Sequence, residues 1–202
     1  MQSNLNDYHN VHEALADLCN GLIALDASVP ACWQEVTPDD MPPLFRELIV
    51  HHNHMTDTLE RCYGQPVVLD VLAYEQAEDW YRRKIRLQLS RSRAVVEYGL
   101  VRMNLRFTPP PVREAILACQ RPLGYILDEH GVLRLIEPRW YVRFPASCPL
   151  LTMFDPMASG EMFGRVGTIY CDEHPAIELL EIVTGVDKPG SLGPTAGSAE
   201  RA

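Results

Sequence analysis

The sequence predicts an α+β domain, a single mainly antiparallel β-sheet flanked by helices. Three observations lead there. Residues 82–90 and 94–107 alternate apolar and polar side chains on either side of Ser90-Arg91-Ser92, as two arms of a hairpin do. Residues 165–171 and 176–183 form a second such pair about Asp172-Glu173-His174-Pro175. Helical spacing appears outside these pairs, with Val11, Leu15, Leu18, Leu22 and Leu25 recurring every three or four residues.

That spacing predicts an amphipathic helix over residues 9–26. Pro30, Pro38, Pro42 and Pro43 then break the chain, and a second helix is expected from Pro43 to His52. Met55 to Cys62 reads as a short helix or turn that stops near Gly64. Val67 to Ala73 reads as a strand and leads to the 82–90/94–107 hairpin. Pro109 to Pro111 end the second arm, and Val112 to Ala118 is a helix with proline near its start. Pro122-Leu123-Gly124 interrupts the pattern and Tyr125 to Leu127 resumes it. Leu133 to Ile136 and Trp140 to Phe144 are apolar and read as strands. Residues 148–162, rich in Met and Pro, read as an irregular segment placed to cover a site. Residues after Thr184 have the Gly, Pro, Ser and Ala content of a disordered tail. No internal repeat is visible.

The chain has 202 residues, 47% of them hydrophobic and 22% charged, values typical of a soluble globular domain with a sizeable core. A net charge of −9 argues against nucleic-acid binding, whose footprint is a basic excess. No apolar run approaches the roughly 18 residues needed to span a bilayer, and the N-terminus lacks the features of a signal peptide. Six scattered cysteines without C-x-x-C spacing predict free thiols in a reducing cytoplasm and no structural zinc site.

Charge is unevenly placed. Between Arg82 and Arg106 stand eight Lys or Arg and one acid, Glu97. Side chains alternate faces along a strand. Ile85, Leu87 and Leu89 therefore share the core face, while Lys84, Arg86 and Gln88 share the wet one. Arg83 falls in phase with the apolar set. A guanidinium on an inward face is costly unless an anion meets it. Either Arg83 begins the strand and snorkels out at its end, or it faces a cavity that receives an anionic small molecule. On the second arm Val101, Met103, Leu105 and Phe107 take one face, and Leu100, Arg102, Asn104 and Arg106 the other.

Other candidates are weaker. His51-His52-x-His54 has metal-ligand composition, but adjacent imidazoles on a regular helix do not converge on one ion, so no metal site is assigned. Cys62 and Cys119 lack a partnering base, which leaves them small buried hydrophobes. Trp80-Tyr81 reads as core.

Several short motifs then carry a family resemblance. His54-Met55-Thr56-Asp57-Thr58-Leu59-Glu60 resembles the Ser-Met-Thr…Glu segment of chorismate pyruvate-lyases. Tyr81-Arg82-Arg83-Lys84-Ile85-Arg86-Leu87 is similar to that family's Leu-Arg-Glu-Ile-Leu-Leu strand. Arg121-Pro122-Leu123-Gly124-Tyr125-Ile126-Leu127 resembles its Thr-Pro-Leu-Gly segment, and Phe163-Gly164-Arg165 its Trp-Gly-Arg. Glu181 arrives where its late Thr-Glu strand does. The match covers residues 45–183, which sets aside an N-terminal helical extension at 1–44 and the tail at 184–202.

The resemblance implies a chorismate lyase-like fold with an enclosed ligand cavity. It also implies cofactor-free cleavage of chorismate to 4-hydroxybenzoate and pyruvate. It gives Arg83 the role of anchoring the aromatic carboxylate and Glu181 that of the acid near the ring hydroxyl, the catalytic pair. Met55, Leu123 and Gly124 take pocket-lining places. Chorismate has two carboxylates, and guanidinium forks suit both. Elimination rearomatises the ring, so orientation and charge stabilisation suffice.

One departure stands out. The family's second arginine follows a glycine, and here that position reads Gly99-Leu100. Arg102, on the same strand face as Leu100, and Arg165 are the two replacements, and the sequence does not choose between them. If neither serves, a monoanionic aromatic acid is the expected ligand and chorismate is not turned over. The alternative function is therefore a non-catalytic aromatic-acid-binding protein. Its precedent is the ligand-sensing UTRA-like domain of transcription regulators, although the basic winged helix that precedes such domains is not seen in the first forty residues.

Overall fold

The computed structural model describes residues 5–22 and 32–186, so the expected C-terminal tail lies almost wholly outside the described residues. One seven-stranded sheet runs in the order β1-β5-β6-β7-β4-β3-β2. The strands are β1 (Gln34–Val36), β2 (Val67–Ala77), β3 (Trp80–Leu89), β4 (Val95–Asn104), β5 (Arg134–Phe144), β6 (Met162–Cys171) and β7 (His174–Val183). Every neighbouring pair is antiparallel. The helices are α1 (Val11–Cys19), α2 (Pro43–Ile49), α3 (Met55–Tyr63), α4 (Pro110–Leu117), α5 (Leu123–Glu129) and α6 (Pro149–Phe154).

The α+β class and the two hairpins stand as read. Sequence periodicity runs past the end of α1, which stops at Cys19; residues 23–26 of the expected helix lie outside the described set. The N-terminal stretch also supplies β1, an edge strand on β5, and α1 packs on β4 and β7. The two strands read between residues 133 and 144 are one. Pro138, which lacks an N–H, sits at a register irregularity, a position that tolerates it. The last turn is tighter than expected: Cys171 pairs with His174, leaving Asp172 and Glu173 at φ 47° and 67°. Two successive left-handed residues make the primed hairpin turn that matches strand twist.

The two sheet faces bury different layers. On one, α1 and α6 cover Tyr98, Leu100, Val142, Phe144, Val166 and Leu180. Residues 148–162 thus pack behind the sheet through Leu150, Leu151 and Phe154, a helix then a loop, and do not cover the site as expected. On the other face lie α2 to α5, over two separate apolar clusters. One gathers Met103, Val112, Ile116, Ile126 and Ile177. The other gathers Leu48, Leu59, Leu87, Phe163 and Val183.

Cys32 and Cys148 form a disulfide that joins the segment before β1 to the start of α6, with Cα atoms 5.2 Å apart. This corrects the expectation of six free thiols. The two cysteines are 116 residues apart, and spacing motifs read only local pairs. Cys19, Cys62, Cys119 and Cys171 are free. Among the described residues no helix is long and apolar enough to cross a membrane.

Candidate functional site

Between the two clusters on the α2–α5 face the packing opens into a cavity. Pairing registers line up the inward positions of the sheet around it in three rows. Arg83 sits opposite Val101 and then Leu179. Ile85 sits opposite Gly99, Glu181 and Arg165. Leu87 sits opposite Glu97, Val183 and Phe163. The roof is His54, Met55 and Thr56 at the start of α3, with Pro122, Leu123 and Gly124 at the start of α5. Gly124 lets the two starts approach, since a Cβ there would lie 3.3 Å from the His54 side chain. Gly99 makes room for Ile85 across the pairing, since a Cβ there would lie 2.9 Å from Ile85 Cγ1. The cavity volume is about 40 Å³, room for a few waters when one needs roughly 10–15 Å³. An aromatic acid needs the α3 and α5 starts to give.

Arg83 is 1% exposed and meets no carboxylate among the described residues. Its Nε and one terminal nitrogen have no hydrogen-bond partner among the described residues, while the guanidinium also donates to the Tyr81 hydroxyl. Of the two sequence alternatives for this residue, the cavity is the one observed; Arg83 does not snorkel out. Burial pushes its pKa below the usual arginine range, opposed by the nearby Tyr81 and Cys119. Tyr81 is core, and its hydroxyl lies 2.9 Å from Cys119 Sγ.

Glu181 also lines the cavity, and Arg165 Nε donates to its carboxylate at 2.5 Å. Arg165 further donates to the backbone oxygens of His51 (2.7 Å) and Asn53 (3.1 Å). Its guanidinium therefore braces the Glu181 wall and the approach to α3, and it does not line the cavity. Of the seven residues singled out in the sequence, the structure brings together Arg83, Glu181, Met55, Leu123 and Gly124.

Arg102 is not among them, which corrects its assignment as a substrate anchor. It lies on the α1 face, with Nε donating to Glu178 at 2.6 Å and a terminal nitrogen bonded to Asp17 of α1. The cause is parity. Residues 100 and 102 share a face, and it is the face opposite Gly99 and Val101. Leu100, the position of the missing second arginine, therefore points away from the cavity too and is buried behind the sheet.

Sequence reasoning missed two ionisable lining residues. Glu97 is 2% exposed, and its Oε2 has no hydrogen-bond partner among the described residues. Burial, then the charge of Glu181, pushes its pKa well above the carboxylate range, with Arg165 opposing. Its position as the one acid in a basic stretch was the available signal. His54 is buried as well, with Nε2 unpartnered among the described residues. Burial first, and then Arg134, lowers its pKa, so the imidazole is neutral near pH 7. The three neighbouring histidines do not converge: His51 bonds Leu48 O, His52 bonds Ile136 O, and His54 faces the cavity.

Compared with known proteins, no family model matches the chain and no curated protein shows significant similarity. Among solved structures it is similar to PhnF from Mycobacterium smegmatis, with a TM-score of 0.47 and 10% identity, covering 69% of this chain and 67% of that one. The effector domain of PhnF from the same organism gives 0.47 and 11%, covering 68% and 91%. The C-terminal domain of Yurk from Bacillus subtilis gives 0.34 and 11%, covering 60% and 90%.

Proposed function

We propose that the cavity binds a small monocarboxylic acid with an apolar, ring-sized body, its carboxylate held by Arg83. The observation that carries this reading is the buried pair of Arg83 donors, Nε and one terminal nitrogen, that have no partner among the described residues. A buried N–H without an acceptor costs about 1–3 kcal/mol, more when charged, and a carboxylate accepts two such donors in parallel. The surrounding Leu69, Ile85, Leu87, Val101, Ile169 and Leu179 suit an apolar body. 4-Hydroxybenzoate is the first candidate from the sequence resemblance. Non-catalytic binding is the leading reading.

The lyase is the second reading, favoured by the carboxyls of Glu97 and Glu181 on one wall, where a ring hydroxyl can be oriented for elimination. The cation count weighs against it. Chorismate brings two carboxylates, whereas Arg165 is committed to Glu181 and two backbone oxygens, and Arg102 lies behind the sheet.

The test is to add 4-hydroxybenzoate to the purified protein and to Arg83→Met, following the melting temperature, and to incubate both with chorismate while measuring 4-hydroxybenzoate and pyruvate. The expected result is a ligand-dependent rise in melting temperature that Arg83→Met loses, with chorismate intact. Stoichiometric release of both products, lost in Arg83→Met, would put the lyase first. Equal ligand affinity in the two proteins would refute the anchor.

A further inference from the structure

The Arg83 assignment leaves the opposite end of the cavity without a role, and that end carries an acid. Glu97 stands on the row of Leu87, four residues along β4 from Val101, which is opposite Arg83. At about 3.3 Å per residue the two backbone rows are roughly 13 Å apart, and a long side chain reaches inward from each. Gly99, between them, contributes no side chain, Ile85 lies over it, and Glu97 Oε1 comes to 3.5 Å from where a Cβ would be. One carboxyl oxygen of Glu97 is buried without a partner among the described residues, on a residue that lines the cavity.

We infer that Glu97 is a second ligand-reading residue: with Arg83 holding the carboxylate, the Glu97 carboxyl hydrogen-bonds an oxygen at the far end of the same molecule. The ligand class narrows to monocarboxylic acids with a hydroxyl or carbonyl oxygen distal to the carboxylate. This rests on the anion reading above and deepens it. Burial and then Glu181 on β7 favour the protonated form of Glu97 and Arg165 on β6 opposes it, while Arg83 on β3 and the neutral His54 ahead of α3 line the rest of the cavity. Glu181 and Arg165 offset one another, so a proton on Glu97 leaves Arg83 as the net charge that a monoanion neutralises. A protonated carboxyl is also the form with a hydrogen to donate.

The experiment is calorimetric titration of the full chain with benzoate, 3-hydroxybenzoate and 4-hydroxybenzoate, repeated on Glu97→Gln and Glu97→Leu. Wild type is expected to bind the better hydroxylated isomer roughly three- to tenfold more tightly than benzoate, the range of one net hydrogen bond. Glu97→Leu is expected to lose that preference and keep its benzoate affinity. Glu97→Gln, whose amide still donates and accepts, is expected to keep it. Wild-type affinity should weaken as pH rises and Glu97 ionises, and this dependence should vanish in Glu97→Gln. Retention of the hydroxyl preference in Glu97→Leu overturns this inference and spares the Arg83 reading. Failure of wild type to bind any of the three acids overturns both. Glu97→Gln replaces one planar group by another of the same shape, so it reports even if the leucine variant folds poorly.

Discussion

Arg83 is destabilising where it stands, and that makes it informative. A buried guanidinium without a carboxylate beside it loses more in hydration than its bond to Tyr81 returns, so Arg83→Met is expected to raise the melting temperature while abolishing ligand binding. Glu97 leads to a pH argument with a definite sign. Its folded pKa lies above the 4.5 of an ordinary glutamate. Above 4.5 the unfolded chain releases this proton while the folded chain keeps it, so stability falls as pH rises toward the folded value. Glu97→Gln is expected to flatten that fall and to be more stable than wild type at neutral pH, read from urea midpoints between pH 5 and 8. An unchanged slope would mean that Glu97 is ionised in the fold. The sequence made Arg83 legible because strand parity is strict: one out-of-phase charge among apolar neighbours is visible in a string of letters. Glu97 was not legible, because β4 is buried on both faces and its alternation carries no polar phase to violate.

At the scale of elements, β4 shows what parity can and cannot tell. Placing Arg102 with Leu100 on one face was right, but which face lined the cavity depended on β7 and α1, far away in sequence. Glu178 and Asp17 claim Arg102 there, and Glu178 is itself 3% exposed and accepts from Leu5 N at 2.5 Å. Removing one member of a buried pair strands the other, at a cost of about 3–5 kcal/mol. Arg102→Met is therefore expected to lower stability by that order in chemical denaturation while leaving 4-hydroxybenzoate affinity per folded molecule unchanged. Loss of affinity without loss of stability would restore Arg102 to the site. Hairpins and helix ends were readable because their signals are local, as with Gly64, which ends α3 in the left-handed conformation at φ 64°. The 148–162 segment was misplaced for the opposite reason: nothing local says which side of a sheet a short helix will cover.

At the scale of the molecule, the disulfide closes a separation of 116 residues. Closing a loop of that size stabilises by about 5 kcal/mol in the chain-entropy model, and disulfides typically deliver about 2–4 kcal/mol. Reduction, or Cys32→Ala, is expected to lower the denaturation midpoint accordingly, and an unmoved midpoint would mean that the pair contributes nothing. The order β1-β5-β6-β7-β4-β3-β2 has a further consequence. Strands β2 to β4 and strands β5 to β7 are each contiguous in the chain, and they meet along one seam, between β4 and β7. Arg83 and Glu97 belong to the first half, Glu181 and Arg165 to the second, and the cavity straddles the join. Neither half alone builds the cavity. A molecule lodged there bolts the halves together, so a chain severed between α4 and α5 should reassemble more readily as its ligand is added, and the gain in reassembly would measure the grip directly.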